Sequence, residues 1–179
     1  MVLYRMLYPQ LSIGVNVVFK NQPYVFLTNK SSIVLADNVV INSSNFGYHI
    51  NMYQPCKLMA DGNQSKIVIG KNTRVHGSCI HAQKKITIGE NCLIAANCQI
   101  IDSNAHCLQM KNPENRIHTI DEAREIFIAD NVWIGAGTTV LPGTTINHGS
   151  VISANSVVKG IVPANCLFGG NPAKLLKQY

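Results

Sequence analysis

The segment from Asp102 to Glu125 holds two of the chain's six histidines, His106 and His118, in a polar stretch that reads DSNAHCLQMKNPENRIHTIDEARE. Imidazole titrates near neutrality, so a positioned histidine can take a proton from a hydroxyl at physiological pH, the role of a general base. Asp102 and Asn104 lie close enough along the chain to orient His106, although Asp-Ser-Asn is also ordinary turn chemistry. His118 occupies a loop position of the kind that carries binding. Further on, Val132-Trp133-Ile134-Gly135-Ala136-Gly137 sets the only tryptophan beside a glycine-rich turn. A lone indole that points outward marks an interface or a ligand surface. His76 and His81 form a second group, in Val75-His76-Gly77 and five residues beyond.

The elements that position these groups are legible from periodicity. Aliphatic residues recur every sixth place at Ile128, Ile134, Val140, Ile146, Ile152 and Val158, with small or β-branched residues four later at Val132, Thr138, Thr144, Ser150 and Ser156. Six is even, so successive members keep one face of an extended chain, and Gly135, Gly137, Gly143, Asn147 and Gly149 supply turns between them. The pattern predicts an all-β solenoid in which three hexads make one triangular coil and coils stack. It also runs through Ile69 and Val75, with His81 in the next aliphatic slot, and after a frame shift through Ile88, Ile94 and Ile100. From Ile100 to Ile128 there are 28 positions where six would keep the period, so about 22 residues are inserted. Such an insertion must leave the coil as a loop or an arm.

The expected organisation is one domain over 1–179. Irregular coils occupy 1–66, regular coils 67–101 and 126–159, the inserted arm 102–125 and a C-terminal cap 160–179. In the cap, Asn171-Pro172-Ala173-Lys174-Leu175-Leu176-Lys177 has an N-cap residue, a proline at the first helical place and an apolar face, which predicts a short helix. Hydrophobic residues make up 46% and charged residues 13%, which suits a continuous interior. The net charge of +6 favours small anionic partners, while the lack of a dense Lys/Arg tract argues against nucleic acid. No window approaches a membrane span, and the first fourteen residues show no signal-peptide pattern. Cys79, Cys92 and Cys98 fall in the small-residue slot, so the six cysteines read as thiols of a cytoplasmic protein.

Val132-Trp133-Ile134-Gly135-Ala136-Gly137 with Val140-Leu141-Pro142-Gly143, then Val162-Pro163, Gly170-Asn171-Pro172-Ala173-Lys174 and the Asp-Ser-Asn-Ala-His segment, resembles the hexapeptide-repeat acetyltransferases. The nearest likeness is to the maltose, galactoside and capsular-polysaccharide O-acetyltransferases, and it covers Ile67 to Lys177. The resemblance implies a left-handed parallel β-helix, a homotrimer, and acetyl-CoA as donor in a groove between subunits. It makes His106 the base that deprotonates an acceptor hydroxyl on a carbohydrate. It assigns cofactor contacts to Trp133, Gly135, Ala136, Gly137, Ala154, Lys159 and Lys174. Charge on the thioester oxygen then calls for a backbone donor near Gly135 or Ala136. Some relatives carry Ser where this chain has Ala136, so only the main chain can serve here. His81 and His118 are the acceptor-side candidates.

Two other activities and one inert role compete. N-acetylation of an amino sugar nucleotide needs the same groove and base. The pair His76 and His81 is also similar to part of the zinc site of γ-class carbonic anhydrases, but Lys71 stands where the partner histidine belongs, so no metal is expected. A scaffold without activity is the third.

Overall fold

The computed structural model describes residues 8–179; residues 1–7, the start of the expected irregular coils and half of the stretch read for a signal peptide, lie outside the described residues. The chain winds as a left-handed parallel β-helix with three flat faces, formed by parallel sheets of seven, eight and six strands. Among the described residues, only the final strand of the second sheet runs antiparallel. Like residues stack on like. Ile69 pairs with Ile88, Ile88 with Ile128, Ile128 with Ile146 and Ile146 with Val162, and all five are fully buried. The second members of the hexads, Val132, Thr138, Thr144, Ser150 and Ser156, are buried as well. Their hydroxyls are satisfied by turn carbonyls, as when Ser156 Oγ donates to Ser153 O at 2.6 Å.

The corners carry the sharp turns. At the corner between the first and second sheets, Asn16, Asn38, Asn72, Asn91 and Asn131 all adopt positive φ. Asparagine tolerates the left-handed region better than other residues with a Cβ. Here its amide is used as well: Asn38 Nδ2 donates to Asn72 Oδ1 at 3.0 Å, and Asn72 Nδ2 to Asn91 Oδ1 at 2.9 Å.

Regular coils begin earlier than periodicity suggests. Leu11–Ile13 pairs in register with Ser32–Leu35, and Val18–Lys20 with Val40–Asn42, so the irregular part before residue 66 is mainly the loop at 43–56. Pairing also corrects one frame. In the strand Cys79–Ala82 the inward residues are Ile80 and Ala82, so His81 faces outward and Cys79 is only half-buried, while Ser78 takes the small buried place. Burial raises the thiol pKa of Cys56, Cys79, Cys92 and Cys98.

The arm leaves the coil after Ile101, and the chain returns at Ile126 in direct register with Ile86. Within it, Pro113–His118 forms a short 3-10 helix.

The expected cap helix is absent. Residues Ala173–Gln178 form a strand antiparallel to Cys166–Gly170. The last coil would otherwise present an open edge of unpaired backbone groups, and the returning strand closes it. Gly169 permits close stacking of Cys166–Gly170 on the preceding coil, since a Cβ there would collide with Ser153 Oγ. Gln178 Nε2 then ties the end to Ala164 O at 2.8 Å. Helix propensity over 171–177 loses to this ladder, which pairs the backbone groups of the last coil while Leu175 and Leu176 stay exposed.

Candidate active site

On the outer face of the second sheet, paired strands align side chains into a straight row. Arg74 stands beside Leu93, Leu93 beside Trp133, and Trp133 beside Val151. This row floors a groove of about 570 Å³. One wall is the corner that contains Gly135, Ala136, Ser153 and Ala154; the other is the loop carrying Tyr48, His49 and Ile50. Trp133 is half exposed along the groove, as an outward residue next to the inward Ile134 must be.

The bend at Gly135–Gly137 is tight enough that a Cβ on Gly135 would lie 2.6 Å from the Ala154 nitrogen. Two of its N–H groups are taken: Gly135 N donates to Ile152 O at 2.8 Å and Gly137 N to Ala96 O at 2.9 Å. No described residue accepts from Ala136 N or from Ala154 N one coil further on. Both therefore offer free donors along the groove.

The arm forms a second cavity, of about 470 Å³, at the corner after the third sheet. His106 lines it together with Asn104, Arg116, Arg124, Leu141, Pro142 and Lys159. The arm is folded on itself. Asn104 Nδ2 donates to Asp121 Oδ2 at 2.7 Å, which holds the Asp121 carboxyl below its ordinary range. Cys107 N donates to Thr119 Oγ1 at 2.9 Å, and that hydroxyl donates to Arg116 O at 2.7 Å. His106 Nδ1 lies 3.1 Å from Thr119 O. A carbonyl only accepts, so Nδ1 carries the proton and Nε2 has a free lone pair.

Asp102 does not meet His106. It is fully buried, and its two carboxylate oxygens accept from Gln83 N at 2.7 Å and from Lys84 N and Lys85 N at 2.8 Å each. The contact expected of it is made instead by the Thr119 carbonyl.

The other expected residues divide between the two cavities. Trp133, Gly135, Ala136 and Ala154 line the groove, whereas Lys159 lines the arm cavity with His106. Gly137 sits at the bend with φ of 71°, and Lys174 is exposed on the terminal hairpin. His118 is exposed on the 3-10 helix, away from both. His81 pairs with Asp61 at 2.8 Å on the outer face of the third sheet and lines neither cavity. His76 belongs to the second sheet, so the two histidines of the carbonic-anhydrase reading stand on different faces.

Sequence reasoning missed Tyr48, His49 and Arg74. The loop carries no period, and Arg74 is one outward residue among many. Tyr48 stacks on His76, with ring centroids 4.4 Å apart and planes at 11°. Burial, then the neighbouring Lys20, Arg74 and His49, push His76 down from 6.5 to about 4.

A model of the bacterial transferase hexapeptide (six repeats) matches residues 125–160. An Escherichia coli K12 protein assigned to lipopolysaccharide biosynthesis as an O-acetyl transferase is 35% identical over 144 residues, 76% of this chain and 72% of its own length. A polysialic acid O-acetyltransferase of Escherichia coli O1:K1 is 38% identical over 116 residues, 64% of this chain and 37% of its own. Among solved structures, a hexapeptide-repeat acetyltransferase of Vibrio cholerae O1 biovar eltor, complexed with acetyl coenzyme A, superposes with a TM-score of 0.59 at 30% identity. That superposition spans 68% of this chain and 69% of the other. With hexad coils, an imidazole on an inserted arm and this similarity over most of its length, the chain belongs to the hexapeptide-repeat acetyltransferases.

Proposed function

We propose that the protein is an acetyl-CoA-dependent O-acetyltransferase acting on a carbohydrate hydroxyl, with each active site shared between two subunits of a homotrimer. The observation that carries the reading is the state of His106. Its Nδ1–H is held by the Thr119 carbonyl, and its Nε2 is left as an acceptor. A neutral imidazole so oriented is a general base for a hydroxyl.

The groove suits the donor. Its floor is apolar beside Trp133, and the free N–H groups of Ala136 and Ala154 are donors suited to the charge that a thioester oxygen gains. Acetyl-CoA supplies an acyl group on sulfur. As the acceptor oxygen attacks the carbonyl carbon, Nε2 of His106 takes the hydroxyl proton, and the carbon–sulfur bond then breaks. The imidazolium returns that proton to the departing sulfur. Lys159 and the hairpin cations Lys174 and Lys177 supply positive charge for the phosphates of the nucleotide end.

The layout supports sharing between subunits. Among the described residues none lines both the groove and the arm cavity, which occupy different corners of one chain. The arm also exposes Leu108, Met110, Ile117 and Ile120 by 72–82%, a surface suited to packing on a neighbour. A threefold arrangement closes such head-to-tail contacts.

The test is His106→Ala. Acetyl transfer is expected to fall by about 10²- to 10⁴-fold while calorimetric binding of acetyl-CoA persists. Undiminished transfer removes the reading.

A further inference from the structure

Arg74 ends the row on the groove floor, one place beyond Leu93 and two beyond Trp133. Adjacent strands lie about 4.8 Å apart, so Arg74 is roughly 10 Å from Trp133 along the groove, a span that takes one pyranose ring with a substituent. Among the described residues its guanidinium has no ion-pair or hydrogen-bond partner, and no carboxylate lines the groove. An unpaired fork of donors facing a cavity is a ready site for a planar or tetrahedral anion.

His76, two residues along the same strand, adds a second donor. Asn42 Oδ1 accepts from Ser44 N at 3.0 Å, which fixes the amide so that Asn42 Nδ2 points to His76 Nδ1 at 3.2 Å. That nitrogen therefore accepts, and the ring proton sits on Nε2, where no described residue takes it. The wall is rigid. Asn45 closes the loop on Met52 by bonds of 3.0 Å and 2.6 Å, and Asn97 Nδ2 holds Asn51 O at 2.9 Å.

We infer that Arg74 and His76 form an acceptor subsite for an acidic sugar, one carrying a carboxylate or phosphate about one ring away from the hydroxyl that is acetylated. The inference rests on the transferase reading for direction. The free N–H groups of Ala136 and Ala154 place the thioester on the later coils, and Lys174 and Lys177 lie further on in that direction. Arg74 is on the opposite side of Trp133, beyond the reacting carbonyl, where only the acceptor can reach.

The intact enzyme with acetyl-CoA is offered neutral sugars (glucose, galactose, N-acetylglucosamine), carboxylates (glucuronate, galacturonate, N-acetylneuraminate) and a phosphate (glucose 1-phosphate). At least one acid is expected to exceed its neutral counterpart by tenfold or more in kcat/KM, and the arm of the panel it falls in identifies the anion. Arg74→Gln is expected to raise the KM of that acid at least tenfold without moving the KM of acetyl-CoA, and Arg74→Lys to restore part of the loss. A neutral sugar used as well as the acids, with His106-dependent turnover, overturns the subsite and leaves the transferase reading standing. So does an Arg74→Gln variant that weakens acetyl-CoA instead. Failure to acetylate any acid overturns it too, and failure to bind acetyl-CoA takes both readings down.

Discussion

His106 and Asp102 are four positions apart, yet they perform unrelated work. His106 is oriented by a backbone carbonyl across the arm, and Thr119 is locked there by the two bonds of its hydroxyl. Replacing that hydroxyl in Thr119→Val is expected to lower kcat about tenfold with little change in KM, because small displacements of a base cost rate; an unaltered kcat speaks against the orienting contact. Asp102 holds three consecutive amides of the preceding coil. Asp102→Ala removes the buried acceptor of those part-buried amides and is expected to cost about 1–3 kcal/mol, seen as a lower urea midpoint. The pH profile of the remaining folded enzyme should stay that of the native protein. His76 gives a prediction of opposite character. Its folded pKa of about 4 lies below 6.5, so between those values the unfolded chain binds more protons and stability rises with pH. Protein NMR should show the His76 ring neutral at pH 5.5, and His76→Gln should reduce the slope of stability between pH 5 and 7; titration near 6.5 contradicts this. The histidine of the arm was visible in the sequence because an insertion isolates it. Its true partner was not, since a carbonyl has no side-chain signature.

At the scale of elements, the hexad period is a statement about which side chains point inward, and it was read correctly wherever the spacing was unbroken. From Ile128 to Val158 each predicted inward residue is fully buried. Near His81 the spacing slips, five residues from Val75 to Ile80 and eight from Ile80 to Ile88, and only strand pairing reveals that Ile80 fills the interior. The terminal helix failed for a different reason: local propensity favoured it, but an unpaired sheet edge is a tertiary fact. The asparagine corner also acts between coils. Asn72 combines positive φ with one amide bond given and one received. Asn72→Ala is expected to cost about 1–2 kcal/mol and Asn72→Gly less, since glycine recovers the conformation but not the bonds. Equal midpoints for the two variants in chemical denaturation indicate that the bonds dominate instead.

For the whole molecule, the coils set the groove and the arm cavity at fixed heights on different corners, the layout that supports the proposed sharing of each site between subunits. The groove residues Tyr48, His49 and Arg74 were opaque to periodicity because the coil specifies only its interior, leaving outward positions free to carry recognition. The central claim is that the base of one subunit serves the groove of the next, and subunit mixing tests it most directly. His106→Ala has an intact groove, and Ala154→Trp blocks the groove while keeping His106. Each variant alone is expected to be inactive. Trimers reassembled from an equal mixture should regain roughly a quarter of the native acetyl-transfer rate, the share of interfaces that pair an intact groove with an intact histidine. Mixtures that stay as inactive as either variant, although exchange of subunits is verified by mass, would contradict the account.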